Sequence, residues 1–279
     1  MPQGPLTIAG VAHRRPARYC LRHHWPEYLM EAAGLGSFML LAILACAVLE
    51  HPDSPLPRAI PNAFERRAIL GVVIGLVAAA IIYSPWGKQS GAHINPAVTL
   101  AWLRLGKVHP WDAFFYVCAQ TVGGTLGVLL AAVSLHGRIA HPSVGWLVTV
   151  PGPWGVGAAF GAEAGLSFLL MSVVLAVSSR PAIARWTGVV AACLVAVFIA
   201  LEAPVSGMSI NPARTLASAV PSGVTTSLWI YLVAPPLGML LAAEATRAMR
   251  GAAHCACAKL HHHNRSRCIH CGKEEDVHV

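Results

Sequence analysis

Hydrophobic and polar positions along the chain sort into six long apolar stretches, residues 28–49, 68–83, 113–135, 156–178, 186–201 and 226–249, separated by short polar or proline-containing segments. A helix needs roughly 20 residues to cross a hydrocarbon core of about 30 Å, so the pattern predicts six membrane-spanning helices. The second stretch is short by that rule. It is followed by Trp86, a residue type that sits at the bilayer interface. Composition agrees: 56% of residues are hydrophobic and 11% charged, where a soluble domain carries about a quarter charged. The solvent of this chain is lipid.

Charge sets the orientation. With the N-terminus in the cytoplasm, fifteen of the twenty Lys and Arg residues fall on the cytoplasmic side. Arg58, Arg66, Arg67 and Arg138 are external, and Arg214 lies in a motif described below. The positive-inside bias therefore predicts a multi-pass protein of the cell (plasma or inner) membrane with both termini cytoplasmic. Residues 1–27 form a basic segment with no apolar core or small-residue cleavage site. The expectation is that no leader is cleaved and the first span acts as the insertion signal. The net charge of +8 is accounted for by this asymmetry. No interleaved basic and aromatic surface points to nucleic acid, and lipid headgroups are the expected anionic contact.

The chain repeats itself. Ser-Gly-x-x-Ile-Asn-Pro-Ala begins at Ser90 and again at Ser206, and Glu31-Ala-Ala-Gly-Leu-Gly-Ser-Phe is echoed by Glu163-Ala-Gly-Leu-Ser-Phe. Repeats are to be read before any other feature, and repeated halves in a membrane protein suggest a pore at their interface. Three spans precede the duplication point, so the second half, about 156–250, enters the membrane inverted relative to the first, about 28–135. Glu31 to Asn95 spans 64 residues and Glu163 to Asn211 spans 48, the surplus falling in the proline-rich external loop 51–61. Carboxylates inside spans are costly and face the protein interior or water. Glu31 and Glu163 are therefore expected to accept hydrogen bonds from re-entrant backbone, with a proton relay as the alternative.

Each Asn-Pro-Ala, Asn95, Pro96 and Ala97 and then Asn211, Pro212 and Ala213, reads as a helix start. Asn is a strong N-cap, and Pro loses nothing at the first helical position. From Asn95 to Arg104 and from Asn211 to Val220, before Pro221, is about 15 Å, half a bilayer. Two such half-helices entering from opposite faces meet with their positive dipole ends together, which repels cations. With each Asn oxygen engaged in capping, its NH2 is expected to be free to hold the oxygen of a passing molecule. Irregular backbone at membrane depth is tolerated only when buried or lining a watery cavity. Gly91, Ala92, His93 and Ile94, with Gly207, Ser209 and Ile210, are therefore expected to line the path with carbonyls.

These two phrases, the three-plus-three spans and Arg214 directly after the second Asn-Pro-Ala resemble the aquaporin (major intrinsic protein) family over roughly residues 28–250. The resemblance implies an all-α membrane protein of six transmembrane helices plus two re-entrant half-helices in an inverted repeat. It further implies a homotetramer with one pore per subunit. It places Arg214 in the narrowest external constriction together with Ile199, Met208 and one residue of the second span, Ile74 or Gly75. Exclusion by an Arg and half-helix dipoles is the standard account for aquaporin pores. Strict water channels are expected to carry a His where Ile199 stands, and glycerol facilitators an Asp where Thr215 follows Arg214. The expected cargo is water first, with ammonia, hydrogen peroxide or a small polyol as the alternative. His93 reads as a brace or a pore wall. Glu202, near the external mouth, reads as a solvated carboxylate or as a partner of Arg214.

After Arg250 the composition changes. Residues 251–279 carry Cys255, Cys257, His261 and its two neighbouring histidines, Cys268 and Cys271, which are zinc- or copper-ligand types in a spacing that matches no familiar finger. A metal-binding cytoplasmic tail stands beside a reduced, flexible one, and a cytoplasmic location disfavours stable disulfides. No cofactor is expected in residues 28–250. An enzyme is not expected either: the chain has no phosphate-binding glycine loop, no His-Glu-x-x-His and no nucleophile constellation. A coupled carrier is disfavoured because Asn pairs, not charged coupling residues, fall at the midplane, and a non-conducting scaffold is the remaining rival.

Overall fold

The computed structural model describes residues 15–251, 257–262 and 264–274. Six helices are long and apolar enough to cross a membrane. They are α1 (Ala17–Glu50), α2 (Ala63–Tyr83), α4 (Pro110–Leu135), α5 (Gly155–Ser178), α6 (Thr187–Ser206) and α8 (Leu228–Arg250), and two short helices, α3 (Pro96–Arg104) and α7 (Pro212–Ser222), complete the bundle. The protein is a multi-pass, all-α integral membrane protein.

Several ends differ from the hydropathy reading. The first helix starts at Ala17, because one face of its polar first third docks on α4: His24 Nδ1 lies 2.7 Å from Asp112 Oδ1, and the Tyr28 hydroxyl donates to the same oxygen at 2.6 Å. The second starts at Ala63, capped by Asn62, whose side chain accepts from Phe64 N. The fifth span, α6, runs through Pro204 to Ser206. The second half-helix passes Pro221 and ends at Gly223, which adopts a left-handed conformation.

Helices meet where side chains are absent. At the α2–α6 crossing a Cβ added to Gly71 would sit 2.5 Å from Ala196 O, and one added to Gly75 would sit 2.7 Å from Ala192 O. Gly123 and Gly127 of α4 press on Ala32 and Gly36 of α1, and Gly238 of α8 presses on Ala164 of α5. Lipid offers no hydrophobic drive between helices, so close backbone approach at small residues supplies the packing. The two half-helices cross over: α3, from the first half, packs chiefly on α8 of the second, and α7 packs chiefly on α4 of the first. Outward faces carry exposed Leu, Val and Ile. Trp86, Trp111, Trp154, Trp186 and Trp229 stand exposed near helix ends, as expected of residues anchoring a bilayer boundary.

Gly71→Val is expected to lower stability by about 1–3 kcal/mol through overpacking. Gly161→Ala, where an added Cβ meets nothing within 4 Å, is expected to leave it unchanged. Thermal unfolding in detergent compares the two.

Candidate functional site

The centre of the bundle is built twice from the same parts. In each half a buried glutamate collects the donors of a re-entrant loop. Glu31 Oε1 accepts from Ser90 Oγ at 2.7 Å and His93 N at 3.0 Å, and its Oε2 accepts from Ile94 N at 2.6 Å and Gln120 Nε2 at 2.8 Å. Glu163 Oε1 accepts from Ser206 Oγ and Ser209 N, both at 2.7 Å, and its Oε2 accepts from Ile210 N at 2.6 Å. Tyr116 and Tyr231 donate to the carbonyls of Ser90 and Ser206, each at 2.6 Å. Both glutamates are fully buried.

Held this way, the loops take a conformation that L-residues resist. Ala92 and Ile94 in the first and Met208 and Ile210 in the second all have positive φ, between 41° and 54°. Such residues cost of order 1–3 kcal/mol each and persist where surrounding structure over-determines them.

Each loop ends in its asparagine cap. Asn95 Oδ1 accepts from Ala97 N at 2.9 Å, and Asn211 Oδ1 accepts from Ala213 N at 3.1 Å and Arg214 N at 3.2 Å. The amide groups reach across the centre: Asn95 Nδ2 donates to Ile210 O and Asn211 Nδ2 to Ile94 O, both at 2.8 Å. Capping chemistry alone predicts both NH2 groups wholly free. One N–H of each is in fact spent on the opposite loop, which leaves one per asparagine for a ligand. Pro96 and Pro212 occupy the first helical positions, and Ala97 and Ala213 behind them are fully buried.

A cavity of roughly 170 Å³ runs past both asparagines, well above the about 15 Å³ that one water needs. Its wall is largely apolar. Ala92, His93 and Ile94 of the first loop and Gly207, Met208, Ser209 and Ile210 of the second line it, together with Ile74, Ile199 and Arg214. Gly91 does not line it, because its carbonyl is taken by the backbone N–H of Leu260 at 3.2 Å. Gly75 also lies off the cavity, at the α2–α6 crossing, so of the two candidates in the second span it is Ile74 that reaches the lumen. Arg214 is buried, and its Nη1 has no hydrogen-bond partner among the described residues. Both Glu202 carboxylate oxygens are shielded from solvent, which overturns the solvated reading. Among the described residues Glu202 makes no ion pair with Arg214. Thr215 is absorbed in an internal network with Ser209 Oγ at 2.6 Å and Thr149 Oγ1 at 2.9 Å.

His93 both lines the cavity and braces it. Its Nε2 lies 2.6 Å from Ala258 O, so that nitrogen carries the proton, and Nδ1 lies 3.1 Å from Thr99 Oγ1. The tail thus reaches the pore wall, which the sequence did not announce. Within the tail, donor atoms of Cys257, His262, Cys268 and Cys271 lie within 4.8 Å of one another. His262 takes the place expected of His261, whose ring packs instead 5.1 Å from Tyr83. Cys255 lies outside the described residues. Hydrogen bonds from Cys257 and Cys268 hold the Cys271 thiol well below its usual range, and hydrogen bonding to Cys268 and Cys271 raises His262 to about 9.

Comparison with known proteins decides the family. The major intrinsic protein profile matches residues 23–245. The chain belongs to the major intrinsic protein family. It is 38% identical over 179 residues to aquaporin NIP3-1 of Zea mays, a match covering 63% of this chain and 57% of that one. The chain therefore spans little more than half the length of that plant relative. It is 32% identical over 235 residues to glycerol uptake facilitator protein-like 6 of Lactiplantibacillus plantarum, covering 80% of this chain and 97% of that one. The fold superposes on the aquaglyceroporin from Plasmodium falciparum with a TM-score of 0.69 at 22% identity, covering 81% of this chain and 96% of that one.

Glu163→Ala strips acceptors from three buried donors and is expected to cost about 3 kcal/mol or more, at about 1–3 kcal/mol per orphaned group. Glu163→Gln, which keeps an acceptor oxygen, is expected to cost less. Thermal unfolding in detergent ranks the pair, and equal midpoints for Glu163→Ala and wild type would remove the loop-holding role.

Proposed function

We propose that the protein is a passive channel that admits small neutral solutes larger than water, with a small polyol such as glycerol as the chief class and water passing beside it. The supporting observation is the largely apolar lining: Ile74, Ile199 and Met208 face the same cavity as Arg214, so a solute's carbon face would meet hydrocarbon while its hydroxyls meet one guanidinium. A water-selective opening needs polar partners around the ring to replace the hydrogen bonds water gives up. Here Arg214 shares the lining with the aliphatic Ile74, Ile199 and Met208, which moves the preference from water, favoured by sequence alone, to its alternative. The names carried by the bacterial relative and the Plasmodium neighbour point the same way.

Asn95 and Asn211, each with one remaining amide N–H, hold a solute oxygen where the starts of α3 and α7 meet. The positive ends of two helix dipoles there, with Arg214 beyond, disfavour cations and hydronium. A residue 28–250 channel unit, a cytoplasmic tail, both termini in the cytoplasm and assembly as a homotetramer belong to the same proposal.

Osmotic light scattering on proteoliposomes tests it. Glycerol is expected to re-swell the vesicles faster than protein-free controls, and Ile199→His is expected to cut glycerol permeability about tenfold relative to water, the scale on which a tight pocket discriminates. An unchanged glycerol-to-water ratio in the variant would take Ile199 out of the constriction. Water flux with no glycerol flux in wild type would restore the water-selective reading.

A further inference from the structure

The tail is docked onto the face of the bundle that carries the N-terminal end of α1. Arg267 makes a two-pronged contact with the fully buried Glu27, Nε to Oε1 and Nη2 to Oε2, each 2.7 Å. Lys259, itself buried, donates through Nζ to the carbonyls of Lys88 at 2.9 Å and Arg267 at 2.7 Å, and Asn264 Nδ2 donates to the same Lys88 carbonyl at 3.1 Å. The His270 ring stacks on His93, with centroids 5.6 Å apart and planes 6° from parallel. Between these anchors the tail inserts Leu260. Its backbone N–H bonds Gly91 O, and its side chain belongs to the buried core and lines the pore cavity next to Ala92 and His93. A buried leucine side chain thus occupies part of the cavity wall.

So short and polar a segment holds too little apolar surface to fold alone. Its centre is Cys257, His262, Cys268 and Cys271, three sulfurs and one imidazole. Cys257 Sγ and Cys268 Sγ lie 3.4 Å apart and Cys271 Sγ lies 3.9 Å from His262 Nε2. A disulfide needs about 2.05 Å. A tetrahedron with Zn–S bonds of about 2.3 Å and Zn–N bonds of about 2.0 Å has S···S edges of about 3.8 Å and S···N edges of about 3.5 Å, and both separations here come within about 0.4 Å of these. The ligand set is the soft, closed Cys3His type that favours zinc and leaves no open position.

We infer that Cys257, His262, Cys268 and Cys271 form a structural Zn²⁺ site whose loading folds the tail into a plug, seating Leu260 in the pore so that the metal-bound protein is closed at this mouth. Arg267, Lys259 and His270 position the plug, and loss of metal releases it. The gating part rests on the transport reading above; the metal part does not.

The full-length protein, purified in detergent without chelators, is expected to contain about one zinc per chain by elemental analysis, and Cys268→Ser/Cys271→Ser is expected to contain none. Cobalt substituted for zinc is expected to show thiolate charge-transfer and tetrahedral absorption bands. In proteoliposomes, zinc-loaded wild type is expected to re-swell in glycerol slowly. Stripping with a membrane-permeant chelator, or the double cysteine variant, is expected to speed it several-fold, and added Zn²⁺ to slow only the wild type again. Leu260→Ala is expected to keep its zinc and still run fast, which separates the stopper from the metal. Equal rates for zinc-loaded and stripped wild type, with Leu260→Ala no faster, overturn the plug. Absence of zinc and of cobalt bands, or a Cys257–Cys268 disulfide in mass spectra of the purified protein, overturns the metal site. If every form stays monodisperse yet re-swells no faster than empty liposomes, the transport reading has failed and the gating with it, while zinc stoichiometry still decides the site.

Discussion

Two buried carboxylates hold the centre of this protein together. A loop that turns back at mid-membrane leaves backbone N–H groups with no helix to accept them and no water to replace it. Glu31 and Glu163 supply the acceptors, three or four donors apiece counting the serine and glutamine side chains. Charge-assisted bonds of about 1.5–3 kcal/mol each are of the size needed to offset two left-handed non-glycine residues per loop at about 1–3 kcal/mol each. The strained turns in turn aim each asparagine at the opposite loop. Remove the carboxylate, and the loop geometry, the caps and the reciprocal Asn–Ile bonds lose their common support.

The inverted repeat turns that local device into a closed structure. Each half's last long helix, α4 or α8, receives the half-helix of the other half, so neither half completes its own packing. Glycine-lined crossings let the backbones approach closely enough for the half-helices to meet end to end, and the reciprocal Asn95–Ile210 and Asn211–Ile94 bonds tie that meeting point. The cavity that passes through this junction passes both helix N-termini, since Asn95 and Asn211 both line it.

Much of this was legible in the sequence because it is written twice. The Asn-Pro-Ala phrases and the Glu-Ala-Gly openings locate the caps and carboxylates, and hydropathy finds all six spans. The contributions of Ser90, Ser206, Tyr116 and Tyr231 were missed, although their offsets, 26 residues from Ser90 to Tyr116 and 25 from Ser206 to Tyr231, repeat nearly as well as the motif does. Aligning the halves through the helices as well as the loops would have found them. Span ends were misplaced wherever tertiary contact outweighs hydropathy: residues 17–27 are polar but one of their faces is buried on α4, and Pro204 and Pro221 stand near helix ends where the surrounding packing accommodates them. The exchange of His261 for His262, and the seating of Leu260, depend on how an irregular segment folds over a distant loop, and no periodicity in the tail encodes that.

The places where the repeat is broken are as informative as those where it holds. Aligned on the motif, Arg214 corresponds to Val98, Ser209 to His93, and Tyr83 to Ile199. The second half therefore carries a buried guanidinium where the first carries a valine, and the first carries a histidine that bonds the tail and a tyrosine that packs on it. Symmetric positions serve the centre, where both halves must do the same thing. Asymmetric positions carry what differs between the halves, a fixed charge at Arg214 in one and contact with a separate piece of chain in the other. An arginine in place of Val98 would put an unpaired cation in the same cavity as the apolar Leu260 side chain, a costly neighbour to desolvate. The absence of a charge at Val98 is thus a condition for the apolar Leu260 side chain to share this cavity.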